Sequence, residues 1–303
     1  MADTISASPR IWSEIFSALK VAMLEFSPGL RVTTWLIRAI TISTAPPVTA
    51  RYPSQGWNNA IPTRNTGVHG MSKNAISTGE AILEMAGSFS NHRIDLDKRL
   101  VIKGMEHIEQ ARADGKGVLL LGMHFNSIDV GSRLLGYLMD FYAVYRPNDN
   151  RVIDRLINQG RGNYLKGNVP RSDIRQMIRL LRNGEVLWYA PDQDYGIAHA
   201  VFVPFFGIPA ATITATSRIA RMGKARVIPT AHYRLPGGRY QIEFGPPLEN
   251  FPSGDPLLDA TSMNRVIEVF VRDMPDQYFW AHRRFKTQPP GSPDYYAQPP
   301  VAS

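Results

Sequence analysis

A histidine with an aspartate five positions on, His124-Phe-Asn-Ser-Ile-Asp129, is the part of this sequence best suited to moving a proton. An imidazole held by a carboxylate keeps one nitrogen protonated and leaves the other as a base toward a hydroxyl. On one continuous α-helix, five residues turn through about 500°, so the two side chains would diverge by roughly 140°. The dyad therefore needs a strand-to-helix turn, with His124 in the turn and Asp129 in the first helical turn. The apolar run Val118–Gly122 supplies a strand directly before the histidine, and of the seven histidines only His124 joins such a strand to an acid at this spacing. There is no cysteine, which excludes a thiolate nucleophile, a thiolate metal site and a disulfide scaffold. No Gly-x-Ser-x-Gly elbow marks a serine hydrolase.

The elements that must position this box can be read along the chain. Val118–Gly122, Val186–Ala190, Ala225–Tyr233 and Tyr240–Phe244 read as strands, the first two as continuous buried runs. Between them, Ser172 is placed to cap a helix whose Ile174, Met177, Ile178 and Leu181 share a face, with Gly184 at its end. Ser262 precedes a second apolar stripe from Met263 to Met274, which Pro275 terminates. Val201–Phe206 is an apolar run broken by Pro204, unsuited to a central strand and compatible with the wall of an acyl pocket or with core packing. Strands alternating with helices give an α/β fold, one domain with a central, mostly buried sheet flanked by helices. Upstream, Ile11, Ile15, Leu19, Met23 and Phe26 form a modest amphipathic helix, and Thr44–His69 is an aperiodic linker. The expected organisation is a leader over residues 1–70, the folded domain over 71–293 and a tail over 294–303. Lys20, Glu25, Arg31 and Arg38 break the apolar runs of the leader, so no bilayer-spanning helix is expected there.

Five blocks in order carry a resemblance: Gly117–Asp129, Tyr145-Arg-Pro-Asn-Asp-Asn150, Trp188-Tyr-Ala-Pro-Asp-Gln-Asp-Tyr-Gly196, Phe202-Val-Pro-Phe-Phe206 and His282-Arg-Arg-Phe-Lys-Thr287. Together they resemble the late acyltransferases of lipid A synthesis, nearest the lauroyltransferase branch, from about Met71 to Pro293. The resemblance implies transfer of a fatty acyl group from acyl carrier protein to the hydroxyl of a hydroxyacyl chain on a lipid A precursor, without metal or organic cofactor. It places the catalytic box on His124 and Asp129, the functional arginine on Arg161 and the functional aspartate on Asp192. Asp129 stands where the lauroyl branch often has Glu. Residues 1–70 do not match the membrane-anchoring helix with which the family begins, and no anchor is carried over. The cytoplasmic face of the bacterial inner membrane is the expected location, with the membrane surface as a partner.

Physical roles for the other blocks follow from their chemistry. Arg146 and Arg161 present forks of donors for phosphate or developing negative charge. Asn148 joins Arg146 as a substrate-binding candidate. Asp192 and Asp194, in a Pro- and Gly-bounded loop, are placed either to orient Arg161 or the acceptor sugar, or to cap a turn. The chain carries a net charge of +8, and from Arg146 to Arg182 eight arginines and one lysine stand against three aspartates. Arg175 and Arg179, with Arg171 and Arg182, line one face of the Ile174–Leu181 helix, either a solvated face or a docking surface for an acidic carrier protein. The basic run His282–Lys286 is the second candidate for that docking. A nucleic-acid-binding protein of this charge would need a zinc-ligand set, recognition motif or aromatic-basic platform, and none is present. Related His-x4-Asp enzymes acylate glycerol phosphate, lysophosphatidate or phosphatidylinositol mannoside, which leaves the acceptor as the open question.

Overall fold

The computed structural model describes residues 99–296, together with Asn74, residues 76–81 and Glu84. The leader helix, the linker and the far end of the tail lie outside these residues. A seven-stranded sheet has the order β1-β9-β8-β2-β5-β3-β4, built from β1 (Leu100–Lys103), β2 (Val118–Leu121), β3 (Tyr142–Tyr145), β4 (Gly167–Pro170), β5 (Val186–Tyr189), β8 (Arg226–Leu235) and β9 (Arg239–Phe244). Strands β8, β2, β5, β3 and β4 are parallel, and β9 joins β8 antiparallel through a hairpin. β6 (Ala200–Phe205) and β7 (Ile208–Ile213) form a separate antiparallel pair. This is where Pro204 belongs, since proline cannot donate to the ladder of a central strand.

Alternation along β2 shows why its continuous apolar run is needed. Val118 and Leu120 pack with Val130, Leu134 and Leu135 on one face, while Leu119 and Leu121 pack with Met177, Leu181, Ile219 and Met263 on the other. The first face is covered by α1 (Met105–Ala113) and α2 (Ile128–Leu138), the second by α4 (Ile174–Arg182), α5 (Ala215–Gly223) and α6 (Pro256–Asp273). A sheet covered on both faces has no polar face to alternate with, so its strands read as unbroken apolar runs. The α/β class and the flanked, buried sheet are as expected from the sequence.

Two helix starts differ from the sequence reading. Asp173, not Ser172, caps α4, accepting the Gln176 amide at 2.9 Å. α6 starts at Pro256 rather than after Ser262, because Asp255 accepts the Leu257 amide at 2.7 Å and Pro256 supplies a preset first-turn φ. Ile174 is 38% exposed and leaves the apolar face to Met177, Ile178, Leu180 and Leu181. No described helix is long and apolar enough to cross a membrane.

Candidate active site

The register of two neighbouring strands assembles the site. β2 and β5 pair in parallel with Leu121 opposite Tyr189, and the ladder runs on as the Gly122 amide donates to the Tyr189 carbonyl. Three residues beyond each strand end stand His124 and Asp192, in line. The His124 Nδ1 lies 2.5 Å from Asp192 Oδ1, and the His124 amide donates to Oδ2 at 2.8 Å. Both oxygens of one carboxylate thus grip one residue. Asp192 is 1% exposed, and burial alone would raise its pKa. Attraction to the His124 ring and the hydrogen bonds it donates, aided by His282, more than offset this and hold the carboxyl well below the usual range. An ionised Asp192 can only accept, so Nδ1 carries the proton and Nε2 is left as a base.

The segment after α6 closes over the box. Phe125 and Tyr278 form an antiparallel bridge, the Phe279 amide donates to the His124 carbonyl at 2.8 Å, and the Asn126 amide donates to the Gln277 carbonyl at 2.7 Å. His124 therefore cannot tilt without breaking backbone bonds on two sides.

Asp129 does not make the hydrogen bond to His124 that its spacing predicts. It sits in the first turn of α2 and accepts from Arg161 Nη2 at 3.1 Å, while His124 takes its carboxylate from β5. Arg161 ends α3 (Arg151–Arg161), where the helix dipole favours a cation, as the start of α2 favours the carboxylate. Tyr164, one turn on, has its phenol pushed up to about 12 by burial and then by the Asp129 charge. Orienting Arg161, one of the alternatives open to Asp192, is not what it does: Asp192 pairs with His124 and Arg161 with Asp129.

The remaining candidates divide. Arg146 is exposed and pairs with Asp149 at 3.3 Å. Asn148 is spent locally: its amide donates to Asp154 and its side-chain oxygen accepts the Asn150 amide at 3.0 Å, ordering the turn before α3. Asp194 is buried and accepts the Gly196 and Thr287 amides, both at 2.8 Å, so the turn-capping alternative describes it. Arg175 and Arg179 are exposed on α4.

Three groups escaped the sequence reading. Ser127 Oγ and His232 Nδ1 lie 2.8 Å apart beneath the box, and burial, reinforced by Arg234, pushes His232 down to about 3. The His282 ring is 6.4 Å from that of His124, its nitrogens shielded from solvent, and burial pushes it down to about 4 against the opposing charge of Asp192. Arg284 is 1% exposed and donates to the Ala211 carbonyl at 2.7 Å and Thr212 Oγ1 at 2.8 Å, tying the segment after α6 to β7. His282–Lys286 is therefore not a single charged surface, because its central arginine points inward. The motif was visible, but a basic run carries no mark of which cation is buried.

Residues 70–287 match the family described as bacterial lipid A biosynthesis acyltransferase. The chain is 42% identical over 228 residues to the lipid A biosynthesis lauroyltransferase of Escherichia coli K12, covering 74% of each chain. It is 37% identical over 224 residues to a lipid A biosynthesis acyltransferase of Haemophilus influenzae, covering 72% of this chain and 71% of that one. With the palmitoleoyltransferase of Escherichia coli K12 the identity is 33% over 230 residues, covering 75% and 74%.

Proposed function

The chain belongs to the bacterial lipid A biosynthesis acyltransferase family, nearer its lauroyl branch, and we propose that it moves a lauroyl group from acyl carrier protein to a hydroxyacyl chain of a Kdo-lipid A precursor. The observation that carries the mechanism is the His124–Asp192 pair at the carboxyl ends of two parallel strands, the edge where α/β sheets bind ligands. Nε2 of His124 removes the proton of the acceptor hydroxyl as its oxygen attacks the thioester carbonyl. Collapse of the tetrahedral intermediate breaks the carbon–sulfur bond, and the imidazolium returns the proton to the departing thiolate. Asp192 fixes the tautomer and stabilises the imidazolium between these steps. Arg161, steered by Asp129, supplies positive charge for the acceptor phosphate or the developing oxyanion. Arg146 is exposed toward the same edge and suits a second phosphate contact. Arg175 and Arg179 suit the acidic surface of the carrier protein, and the reaction belongs at the cytoplasmic face of the inner membrane.

Purified protein with lauroyl carrier protein and the lipid A precursor is expected to yield a product heavier by one lauroyl group on mass spectrometry. Lipid A from cells with and without the protein should differ by the same mass. Identical lipid A from both, with no product in vitro, would overturn the proposal.

A further inference from the structure

Between β5 and β6 the chain makes two turns in succession. Asp194 Oδ1 accepts the Gly196 amide at 2.8 Å, and the Ala200 amide returns to the Ile197 carbonyl at 3.2 Å. Between these anchors, ahead of the exposed His199, Tyr195-Gly-Ile-Ala198 carries no charge and is turned outward: Tyr195 is 42% exposed and Ile197 69%. This tip begins three residues beyond Asp192, at the rim of the His124 site. Arg171 lies with its guanidinium 5.7 Å over the Tyr195 ring, and the exposed Ile174 follows it. Pairing of Tyr145 with Pro170 brings the backbone of Arg146 into line with that of Arg171, so two arginines stand together at the ends of β3 and β4.

We propose that this tip, Tyr195 to Ala198 flanked by Arg171 and Ile174, is the surface by which the site meets an anionic bilayer. It rests on the lipid acyl-transfer reading, because an acceptor embedded in a bilayer reaches His124 only where the rim of the site touches the membrane. An isoleucine held in water by a tight turn gains free energy only against apolar matter, and the amphipathic tyrosine suits the headgroup boundary. The adjoining arginines pair with lipid phosphates while their stems lie along the apolar layer. An acidic protein would satisfy the arginines but offer little to Ile197. A bilayer satisfies both.

With no cysteine in the chain, Ile197→Cys and Glu249→Cys each create one labelling position. Glu249 is exposed and follows Leu248, which bonds to Val227 near the start of β8, at the opposite edge of the sheet from the site. The full-length protein labelled at each position with a nitrobenzoxadiazole fluorophore is titrated with phosphatidylcholine vesicles containing or lacking phosphatidylglycerol. The fluorophore at 197 is expected to brighten and shift to the blue with anionic vesicles, and the one at 249 to stay unchanged. The double variant Tyr195→Ser, Ile197→Ser should lower vesicle partitioning by about tenfold or more, while transfer to a detergent-dispersed acceptor is kept. Silence at 197, an equal response at 249, or a response to acyl carrier protein but not to vesicles overturns the proposal. Wild-type protein that engages vesicles through this tip yet acylates no dispersed acceptor overturns the acyl-transfer reading and not the membrane contact.

Discussion

Asp192 accepts two hydrogen bonds from His124 at a site closed to water, and the loss of either partner should be read in rate before stability. His124→Ala is expected to lower kcat by about 10²–10⁴-fold, the range general-base catalysis supplies, with thermal unfolding confirming an intact fold. Asp192→Asn should cost on the order of 10²–10⁴-fold, because an amide neither fixes the tautomer nor stabilises the imidazolium. Wild-type turnover in a folded Asp192→Asn protein would sink this assignment. Asp129 makes a different statement, since its partner is Arg161. The losses from Asp129→Asn and Arg161→Gln should be non-additive, with a coupling of about 0.5–3 kcal/mol in activation free energy. Coupling of Asp129 to His124 instead would restore the dyad that the spacing predicts. Every one of these residues was legible in the sequence, but their pairing was not. Spacing along the chain favours a partner five residues away, whereas the true partner is 68 away and is brought in by strand register. The signal was present nonetheless: aligning the two predicted strands in parallel, Val118 with Val186, puts His124 opposite Asp192.

Each element around the site was legible in proportion to how completely it is buried. β2 and β5 stood out as apolar runs, and α4 by its stripe. β4 is Gly-Asn-Val-Pro at the sheet edge and offers neither alternation nor apolarity. The start of α6 was missed because its first turn carries exposed Leu257 and Leu258 and buried Asp259, the inverse of an amphipathic pattern. α2 permits a sharper test. A Cβ on Gly131 would meet the His232 ring at 2.4 Å, so this glycine lets the helix lie against the Ser127–His232 pair. Gly131→Ala would ordinarily favour a helix by about 1 kcal/mol, yet here overpacking should destabilise by roughly 1–3 kcal/mol. Denaturant unfolding decides the sign, and a stabilised variant would show the contact to be slack. On α4, Arg175→Glu with Arg179→Glu should raise KM for acyl carrier protein and flatten its salt dependence with little change in kcat, because neither side chain is placed among the reacting groups. An unchanged KM in a folded variant would remove α4 as the docking face.

Placement of two buried imidazoles near His124 gives the whole molecule a characteristic response to acid. Burial pushes His232 to about 3 and His282 to about 4, whereas in the unfolded chain a histidine titrates near 6.5. Between these values the unfolded chain binds protons that the folded one refuses, so stability is full above pH 6.5 and falls as pH drops toward 4. Asp192 acts in the opposite window: its carboxyl is depressed when folded, so its contribution persists above about 3.9, the unfolded value, and is lost only below it. The carboxylate therefore leaves the pH 6.5–4 slope to the histidines. Each should cost about 2 kcal/mol at pH 5 relative to pH 7. His232→Gln, which can still bond Ser127, removes one of the two titrating groups without charging the core. Its thermal midpoint should fall less steeply between pH 6.5 and 4 than that of the wild type, whereas Asp192→Asn, which removes the charge opposing the lowering of His282, should not flatten the slope. Parallel curves for His232→Gln and the wild type would mean that His232 takes up its proton without unfolding, and that the packing of α2 against β8 opens to water in acid.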